Sequence, residues 1–302
     1  MKTFRSNGKL LLTAEYAVLD GALALALPSR YGQSLSISEA KKDLHWTSFD
    51  ENNNIWFQDK FEWMNGQLIS KAHENPISKR LLQIFGAVQQ LNPGFLKDGD
   101  CYNIETYQDF NRLWGLGTSS TLINNVAQWA KIDAYELLDL TFGGSGYDIA
   151  CAQHNQPITY QLTDDKKPTV EVVEFNPSFQ TNLYFLYLEQ KQDSRSGIKA
   201  YRALGKVDNT SLTEISEITH SIINTSQHDE FNSLIDAHEN IIARLISDEP
   251  IKTRLFNDFN GSIKSLGAWG GDFILVSTKT DPTNYFSAKG YKTVIPYRDM
   301  VL

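Results

Sequence analysis

The chain has 302 residues, more than one compact core of ordinary size holds and enough for two domains. Hydrophobic residues make up 41% and charged residues 21%, values that exclude a disordered, collagen-like or coiled-coil chain. The 28 basic and 36 acidic residues give a net charge of −8, so the surface as a whole does not attract nucleic acid or anionic membrane. An anionic ligand would need a local cluster of basic residues.

Strand patterns dominate the first half of the chain. Apolar alternation or short apolar runs predict strands at 9–13, 21–27, 33–38 and 101–106, and a hairpin over 45–63 that turns at 52–54. Apolar residues at helical spacing predict helices over 76–90 and 119–130.

The second half alternates strands with helices. The patterns predict strands at 168–175, 183–188 and 273–277, and helices over 194–204, 212–224, 230–246 and 250–260. This order predicts an α+β fold in two lobes, residues 1–165 and 166–302.

The cysteines and the N-terminal region give no sign of export. Cys101 and Cys151 are too few for a disulfide framework and predict buried thiols in a reducing compartment. The apolar run 22–27 follows Glu15 and Asp20 and is too short to span a bilayer. We therefore predict a cytoplasmic protein with no membrane and no nucleic-acid partner, and both a monomer and a homodimer stay open.

A glycine-bearing loop precedes the predicted helix 119–130. It consists of Gly115, Leu116, Gly117, Thr118, Ser119 and Ser120. Glycines let a backbone approach an anion closely, and a helix N-terminus presents unpaired N–H groups at the positive end of its dipole. The loop therefore predicts a phosphate site, with an ordinary capped turn as the alternative. It is not a Walker-type loop, because no Gly-x-x-x-x-Gly-Lys-Ser/Thr string occurs.

A second glycine segment, 143–150, ends in a carboxylate. Ser145 and Gly146 precede Asp148, and a tight backbone of this kind can hold a carboxylate beside a reacting group. Asp148 is a candidate general base that accepts a hydroxyl proton or orients an acceptor. The alternative is an aspartate that caps the following segment.

A third glycine segment and an N-terminal lysine complete the candidates. The segment contains Gly267, Ala268, Gly270 and Gly271, and it suits a loop packed near a ligand or a plain turn between helix and strand. Lys9 precedes a predicted strand, where an ammonium can stabilise an acceptor anion or the transferring phosphoryl group. The alternative for Lys9 is a solvated surface lysine.

Four strings occur in a fixed order along the chain. They are Gly-Lys followed by Glu-Tyr-Ala-Val-Leu at 15–19, Gly-Leu-Gly-Thr-Ser-Ser at 115–120, Ser-Gly-Tyr-Asp-Ile-Ala at 145–150, and Gly-Ala-Trp-Gly-Gly at 267–271. This order resembles the motifs of the GHMP kinases, a family that includes galactokinase, homoserine kinase, mevalonate kinase and phosphomevalonate kinase. The resemblance spans nearly the whole chain, and the strings at 15–19 and 148–150 look most like the mevalonate and phosphomevalonate kinases.

The resemblance implies a fold, cofactors and residue roles. It implies an N-terminal lobe like ribosomal protein S5 domain 2, a C-terminal ferredoxin-like lobe, and ATP with Mg²⁺ as cofactors. Residues 115–120 would wrap the ATP phosphates, and Ser119 would stand at the position of the Mg²⁺-binding serine. Asp148 would be the catalytic aspartate with Lys9 as its partner at the acceptor, and residues 267–271 would shape the floor of the site.

Three features depart from the family pattern. Trp269 and Asp272 interrupt the third glycine motif, and bulky or charged residues at 112–114 replace the usual proline and small residues. The family's helix with a Mg²⁺-binding glutamate looks shortened, because 135–141 runs almost directly into the next glycine segment. Glu136 is the nearest candidate for that metal ligand.

A stripe of basic residues bears on the acceptor. Lys191, Arg195, Lys199, Arg202 and Lys206 recur every three or four residues, so most of them share a face if the segment is helical. Arg195 and Lys199 are candidates for an anion clamp, with a solvated helix face as the alternative. An acceptor that is already phosphorylated needs such cations, whereas the alcohol of mevalonate needs the proton chemistry of Asp148 and Lys9.

Together these features predict an ATP-dependent kinase of the GHMP type that phosphorylates mevalonate, phosphomevalonate or a similar small anionic acceptor. Two alternatives stay open. The shortened metal-ligand helix and the interrupted third motif favour a ligand-binding or regulatory protein on a GHMP kinase scaffold that has lost turnover. An enzyme like diphosphomevalonate decarboxylase shares the fold, although the Ser-Gly-Tyr-Asp string does not look like its signature.

Overall fold

The structure of the chain is a computed structural model, and it describes residues 1–163, 165, 167–192, 194–205 and 207–302, without the side chains of Ser194 and Arg195. These residues form two compact units, each built from several separate segments. The first contains Met1–Gly8, Tyr31–Arg112 and Leu116–Gln153, and the second contains Lys9–Arg30, Leu113–Gly115 and His154–Leu302. The predicted lobe boundary at residue 165 stays a prediction. None of the helices in the described residues has the length and apolar character that a bilayer crossing requires.

Two long strands supply residues to both units. β1 spans Lys2–Leu11, β2 spans Ala24–Glu39, and the two pair with each other. The predicted separate strands at 21–27 and 33–38 were wrong in this respect, because the structure has one continuous strand of 16 residues. Gly32 lies inside β2, where a Cβ would be 2.4 Å from the carbonyl oxygen of Ser6. Glycine is needed there because another backbone approaches closely.

The first unit holds a mixed sheet of order β5-β4-β3-β6-β2. Its strands, besides β2, are β3 (Leu44–Phe49), β4 (Ile55–Met64), β5 (Gln67–Ser70) and β6 (Tyr102–Gln108). β3 and β6 are parallel, and the other neighbours are antiparallel. The predicted hairpin over 45–63 is confirmed as β3 and β4, with Asn53 in a left-handed conformation (φ 61°) at its turn.

Helices complete the core of the first unit. They are α1 (Pro76–Leu91), α2 (Thr118–Ala130), α3 (Ala134–Thr141) and α4 (Tyr147–Gln153). The predicted helices at 76–90 and 119–130 are confirmed. Pro76 opens α1 at a position where its missing N–H costs nothing, and the side chain of Asn75 caps the helix. Strand and helix side chains share one core, in which Phe85 contacts Trp46 and Phe61 edge to face.

The second unit is built around an antiparallel four-stranded sheet of order β10-β11-β9-β12. Its strands are β9 (Leu183–Tyr187), β10 (Ser262–Ser265), β11 (Phe273–Ser277) and β12 (Val294–Pro296). In the same unit β7 (Ile158–Leu162) pairs with β8 (Pro168–Val172) and with Ala24–Ala26 of β2. With two sheets and interspersed helices, the predicted α+β class is confirmed.

The helices of the second unit are α5 (Ser194–Ala203), α6 (Asn209–Asn224), α7 (His228–Ile246), α8 (Ile251–Leu255), α9 (Thr283–Ala288) and α10 (Tyr297–Met300). α7 packs against α6 and against β10. The predicted helix over 250–260 was wrong in its second half. It ends at Leu255, because Phe256 and Phe259 turn into the core beside Phe286.

Candidate active site

The loop after β6 leads into α2 and carries the predicted phosphate site. Gly115 and Gly117 have left-handed backbones, with φ of 67° and 95°, that residues with side chains rarely adopt. Gly117 is the N-cap residue of α2, and no side chain of the described residues caps this terminus. Its first-turn amides therefore have no intrahelical acceptor and no side-chain cap, which is the arrangement that binds anions at helix N-termini.

The hydroxyls of this turn have different environments. Ser120 and Thr121 are buried and donate hydrogen bonds to the carbonyl oxygen of Gly117, at 2.9 and 3.0 Å. Ser119 is exposed. The hydroxyl that the sequence assigns to Mg²⁺ is thus accessible, whereas Ser120 can offer a ligand its backbone amide more readily than its hydroxyl proton.

Buried hydrogen bonds hold α2 in place. The side chain of Asn125 accepts from the hydroxyl of Ser6 at 2.8 Å and donates to the carbonyl oxygen of Gln33 at 2.9 Å. Asn124 donates to the Ser6 hydroxyl at 2.8 Å and to the carbonyl oxygen of Ala152, in α4, at 3.4 Å. A buried polar network with satisfied partners resists displacement, so the start of α2 is fixed relative to β1, β2 and α4.

Asp148 lies half-buried in the first turn of α4, which packs against α2. Gly146 has a φ of 89° and lets the chain turn sharply into this helix, and the half-buried Ser145 precedes it. The Asp148 carboxylate accepts a hydrogen bond from the Ile149 amide at 3.2 Å. Burial raises the pKa of Tyr135, and the negative charge of Asp148 adds to that rise. Within the first unit, Asp148 and residues 116–120 of the predicted phosphate loop therefore lie at the starts of two helices in contact, α4 and α2.

The oxygen donors suitable for Mg²⁺ are few. Glu136 is exposed on α3, an eight-residue helix, and so the short segment expected at this point is present. In the described part of the chain, no three His, Cys, Asp or Glu side chains cluster as a metal site. A hydroxyl and a carboxylate, those of Ser119 and Asp148, suit Mg²⁺, which proteins hold through one or two carboxylates together with substrate phosphates and water. The role of Glu136 stays a prediction.

In the second unit, Lys9 lies beside the third glycine motif. A Cβ built on Gly267 would be 3.9 Å from the Nζ of Lys9. The motif follows β10 directly, and Gly267 and Gly270 have left-handed backbones, with φ of 59° and 94°. A Cβ on Gly270 would lie 2.5 Å from the side-chain nitrogen (Nε2) of Gln192. A Cβ on Gly271 would lie 2.4 Å from the backbone carbonyl oxygen of Gln190. These glycines are required because the segment after β9 packs directly on the motif.

Trp269 is anchored inside the third motif. Its side chain is buried, and its backbone amide donates to the hydroxyl oxygen of Tyr16. The Tyr16 ring stacks on Tyr201 of α5 at 5.4 Å, and a Cβ on Gly197 would lie 2.5 Å from the Tyr16 hydroxyl. Tyr16 thus contacts both the third motif and α5, so Trp269 interrupts the glycine run without loosening it. Ala268 is half-buried beside it.

Four buried ionisable residues, Glu15, His238, Glu239 and Lys264, lie next to this motif and are called here the buried ion cluster. Lys264 of β10 donates to the carboxylate of Glu15 and, at 2.9 Å, to the carbonyl oxygen of Ser265. Glu239 of α7 accepts from the Ser265 amide and hydroxyl at 2.9 and 2.8 Å. The cluster therefore ties β10, immediately before Gly267, to α7 and to the Glu-Tyr string.

Burial governs the protonation of the buried ion cluster. It raises the pKa of Glu15 to about 7, against the attraction of Lys264. It also raises the pKa of Glu239, and it lowers the pKa of His238 well below its usual value, where Lys264 adds to the lowering. The Nε2 of His238 accepts from the Ala14 amide at 2.8 Å, so a neutral His238 carries its proton on Nδ1, 3.7 Å from Glu15.

The residues of the basic stripe have different environments in the structure. Arg202 pairs with Asp20, whose carboxylate also accepts from the Tyr201 hydroxyl at 2.6 Å. This cation therefore tethers α5 to the turn at Ala17–Asp20 and does not serve an anion clamp. Lys199 is exposed on α5. The Arg195 side chain and Lys206 lie outside the described residues, and the roles of Arg195 and Lys199 stay predictions.

The sequence analysis missed the side chains that surround the third glycine motif and Lys9. Glu239, His238 and Lys264 were not singled out, and Asp272 was noted only as an interruption. One signal was available: Lys264 stands in a short strand in which every residue is buried, where a lysine needs a partner. Its partners are far away in sequence, and no local pattern identifies them.

Comparison with known proteins supports the fold. The sequence matches no protein-family model and no curated protein. It is similar in structure to phosphomevalonate kinase of Streptococcus pneumoniae, solved with phosphomevalonate and AMPPNP, with 17% identity and a TM-score of 0.71 over 97% of this chain and 99% of that one. Mevalonate kinase of Methanococcus jannaschii aligns with 14% identity and a TM-score of 0.69, over 97% and 96% of the two chains.

A third similar structure is that of a kinase named for a different substrate. The D-glycero-D-manno-heptose 1-phosphate kinase of Bacteroides thetaiotaomicron aligns with 14% identity and a TM-score of 0.69, over 99% of this chain and 95% of that one. Identities this low show the fold alone.

Proposed function

We propose that this chain, which has the fold of the GHMP kinases, is an ATP-dependent phosphotransferase acting on a small anionic acceptor such as mevalonate or phosphomevalonate. The observation that carries the proposal is the N-terminus of α2, where left-handed Gly117 presents first-turn amides that no described side chain caps. A polyphosphate is the ligand that such a cluster of backbone donors fits best.

The proposed reaction assigns roles to backbone amides and to side chains. The acceptor oxygen attacks the γ-phosphorus, the bond from that phosphorus to the β,γ-bridging oxygen breaks, and ADP leaves. The α2 amides would stabilise the charge that spreads over the phosphoryl oxygens, and Lys9 would stabilise the acceptor oxygen. With an alcohol as acceptor, the hydroxyl proton passes to Asp148, a step that general bases accelerate by about 10²–10⁴-fold. An acceptor phosphate needs no such transfer.

Ser119 and Asp148 are the residues that would hold Mg²⁺ in this proposal, with Glu136 as a further candidate. When bound, the ion would neutralise phosphate charge and align the transferred group. A site with so few protein ligands depends on the nucleotide for the rest of its coordination.

Acceptor choice within this proposal rests on cations near α5. Lys199 is exposed there and available to an anionic ligand. We propose that Lys199 and Arg195 bind the anionic end of the acceptor, and that Ser145, Gly146 and residues 267–271 shape its pocket. We also propose a cytoplasmic location, since Cys101 and Cys151 are not joined in a disulfide.

A binding protein that has lost turnover is the second candidate. It is favoured by α3, which is only eight residues long and leaves Glu136 exposed. Such a protein would bind ATP at α2 without transferring phosphate.

The test is ADP release with one acceptor at a time. The protein is mixed with ATP and Mg²⁺ and, in turn, with mevalonate, phosphomevalonate, diphosphomevalonate, homoserine, heptose phosphates and galactose. We expect acceptor-dependent ADP release with mevalonate or phosphomevalonate. Thermal stabilisation by ATP without turnover on any acceptor would establish the binding protein instead. Release of carbon dioxide from diphosphomevalonate would establish the decarboxylase.

A further inference from the structure

The third glycine motif ends in a residue whose backbone conformation suits glycine better. Asp272 has a φ of 53°, in the left-handed region, and only 9% of its surface is exposed. Both the conformation and the burial of a carboxylate disfavour aspartate at such a position. A strained residue at a proposed active site points to a role for its side chain, and its contacts identify that role.

The backbone of Asp272 is tied to the segment that follows β9. Its amide donates to the carbonyl oxygen of Gln190 at 2.7 Å, and its carbonyl oxygen accepts from the Leu188 amide at 2.9 Å. Its carboxylate accepts from the amide of Gln192 at 3.2 Å. Three hydrogen bonds therefore fix the direction in which the carboxylate points.

The carboxylate lies against the first glycine of the phosphate-binding loop. A Cβ built on Gly115 would be 2.2 Å from one carboxylate oxygen of Asp272 and 2.8 Å from the other. Gly115 also has a φ of 67°. Only glycine fits at position 115, because the Asp272 carboxylate occupies the space of a side chain.

Two lysines lie within electrostatic reach of the carboxylate. Burial raises the pKa of Asp272, while the positive charges of Lys9 and, more weakly, Lys191 lower it. Tyr187 lies near as well: burial raises the pKa of its phenol, and the charge of Asp272 adds to that rise. Lys9 is the lysine that lies beside Gly267 of the same motif. The motif thus places a glycine on one side of the Lys9 ammonium and a carboxylate within its electrostatic reach.

We propose that Asp272 is a positioning residue of the phosphoryl-transfer site, whose carboxylate orients the Lys9 ammonium and fixes Gly115 at the entrance of the phosphate-binding loop. This proposal rests on the proposed function, because Lys9 and Gly115 affect turnover only in a phosphotransferase. Asp272 itself need not touch substrate. Its interruption of the glycine run is then a functional feature of this chain.

The kinetic test uses two substitutions of Asp272 and a surface control. Asp272→Asn keeps the size of the side chain and an acceptor for the Gln192 amide but removes the charge, and Asp272→Gly also removes the side chain and relieves the backbone. Asp98→Asn is the control, because Asp98 is exposed. We expect both Asp272 variants to lower kcat by about 10²-fold with little change in the Michaelis constant for ATP. The alkaline limb of the pH–rate profile should move to lower pH in Asp272→Asn, because the charge that favours the ammonium form of Lys9 is gone.

A purely structural role gives the opposite pattern. Asp272→Asn would then retain the wild-type kcat and pH profile, and Asp272→Gly would be more heat-stable without losing activity. That result would overturn the proposal.

A second measurement does not depend on turnover. Acetylation of Lys9 by acetic anhydride is followed by peptide mass spectrometry in the wild type, Asp272→Asn, Asp272→Gly and Asp98→Asn. We expect Lys9 to react several-fold faster in both Asp272 variants and unchanged in the control, since removing the negative charge favours the neutral form of the amine. Equal rates in all four proteins would overturn the role of Asp272 even in an active kinase. Faster labelling of Lys9 in the Asp272 variants, together with a wild type that transfers no phosphate to any acceptor, would overturn the proposed function alone.

Discussion

The two regions that carry the predicted site are built in different ways. At the start of α2, the binding groups are backbone amides presented by a left-handed glycine, and the surrounding hydrogen bonds come from nearby strands and from α4. Around Lys9, side chains hold the third glycine motif: the buried ion cluster ties β10 to α7 and to Glu15, and the Asp272 carboxylate lies against Gly115, so the partners are distant in sequence. The first arrangement can be predicted from a short string of residues, whereas the second becomes apparent only from the three-dimensional structure.

The largest expected effect belongs to the first region. Asp148→Asn should lower turnover of an alcohol acceptor by about 10²–10⁴-fold, because the amide cannot accept the hydroxyl proton. Binding of ATP without Mg²⁺, measured by thermal shift, should stay within a factor of about two, since the α2 amides are unchanged. Asp139→Asn, on the exposed face of α3, is the matched control. Unchanged turnover in Asp148→Asn would remove the general base from the account.

In the second region, the largest effect should be on stability. Lys264→Met leaves Glu15 and Glu239 buried without their cation and should lower the free energy of unfolding by about 3–5 kcal/mol. Adding Glu15→Gln to Lys264→Met should restore part of that loss, because one uncompensated carboxylate is then gone. Chemical denaturation measures both, with Lys97→Met as an exposed control. A loss no greater than that of the control would mean that the buried ion cluster does not hold this region.

The same cluster predicts a pH dependence. The pKa of Glu15 rises from its ordinary value of 4.5 to about 7 on folding, so the folded state binds the proton more tightly. Its contribution to stability is therefore fully present below pH 4.5 and is lost as the pH rises through about 7, to a limit of about 3 kcal/mol. His238 acts in the opposite direction, because its lowered pKa costs stability as the pH falls below 6.5.

A difference measurement separates the two residues. The stability of Glu15→Gln relative to wild type should improve as the pH rises from 5 to 8, while the contribution of His238 cancels in the comparison. Urea denaturation at several pH values provides the numbers. A relative stability that worsens with rising pH would show that the attraction of Lys264 outweighs burial at Glu15.

Gly115→Ala tests the contact between the phosphate loop and Asp272. Gly143→Ala is the matched control, because both glycines have a φ of 67° but no atom of the described residues lies within 4 Å of a Cβ at Gly143. Backbone strain alone should cost each variant about 1 kcal/mol, and Gly115→Ala should cost about 1–3 kcal/mol more because its Cβ collides with a carboxylate. Thermal denaturation compares them. Equal losses would mean that the Asp272 carboxylate moves aside easily.

The smallest effect is expected at α5. Lys199→Ala should raise the Michaelis constant of the acceptor by roughly 3–5-fold, because one exposed cation contributes about 1 kcal/mol to anion binding. The constant for ATP should not change. An unchanged acceptor constant would return Lys199 to a solvated helix face.

Much of the fold was predictable because its signals are local. Apolar spacing predicts helices α1 and α2 and the hairpin of β3 and β4. Asn53 marks the turn of the hairpin, and Pro76 marks the start of α1. β2 was predicted as two strands, whereas the structure has one continuous strand in which Gly32 packs closely against Ser6. α8 was predicted too long because apolar residues continue at helical spacing to Phe259. In the structure Phe259 lies outside the helix and packs in the core.

The candidate site divides along the same line. The strings around Gly117, Asp148 and Gly267 identified its residues, and the structure places each at a turn or helix start. The contacts of Asp272 could not be foreseen, because they join positions 115, 192 and 272 across the fold of the second unit.

Hydrogen–deuterium exchange with AMPPNP and Mg²⁺ tests the central claim most directly. Backbone amides at the start of α2 are expected to bind the nucleotide phosphates, so peptides covering 115–121 should exchange much more slowly when AMPPNP is present. Peptides from α6, in the other unit, should be unaffected. Binding of AMPPNP with unchanged exchange over 115–121 would contradict the claim.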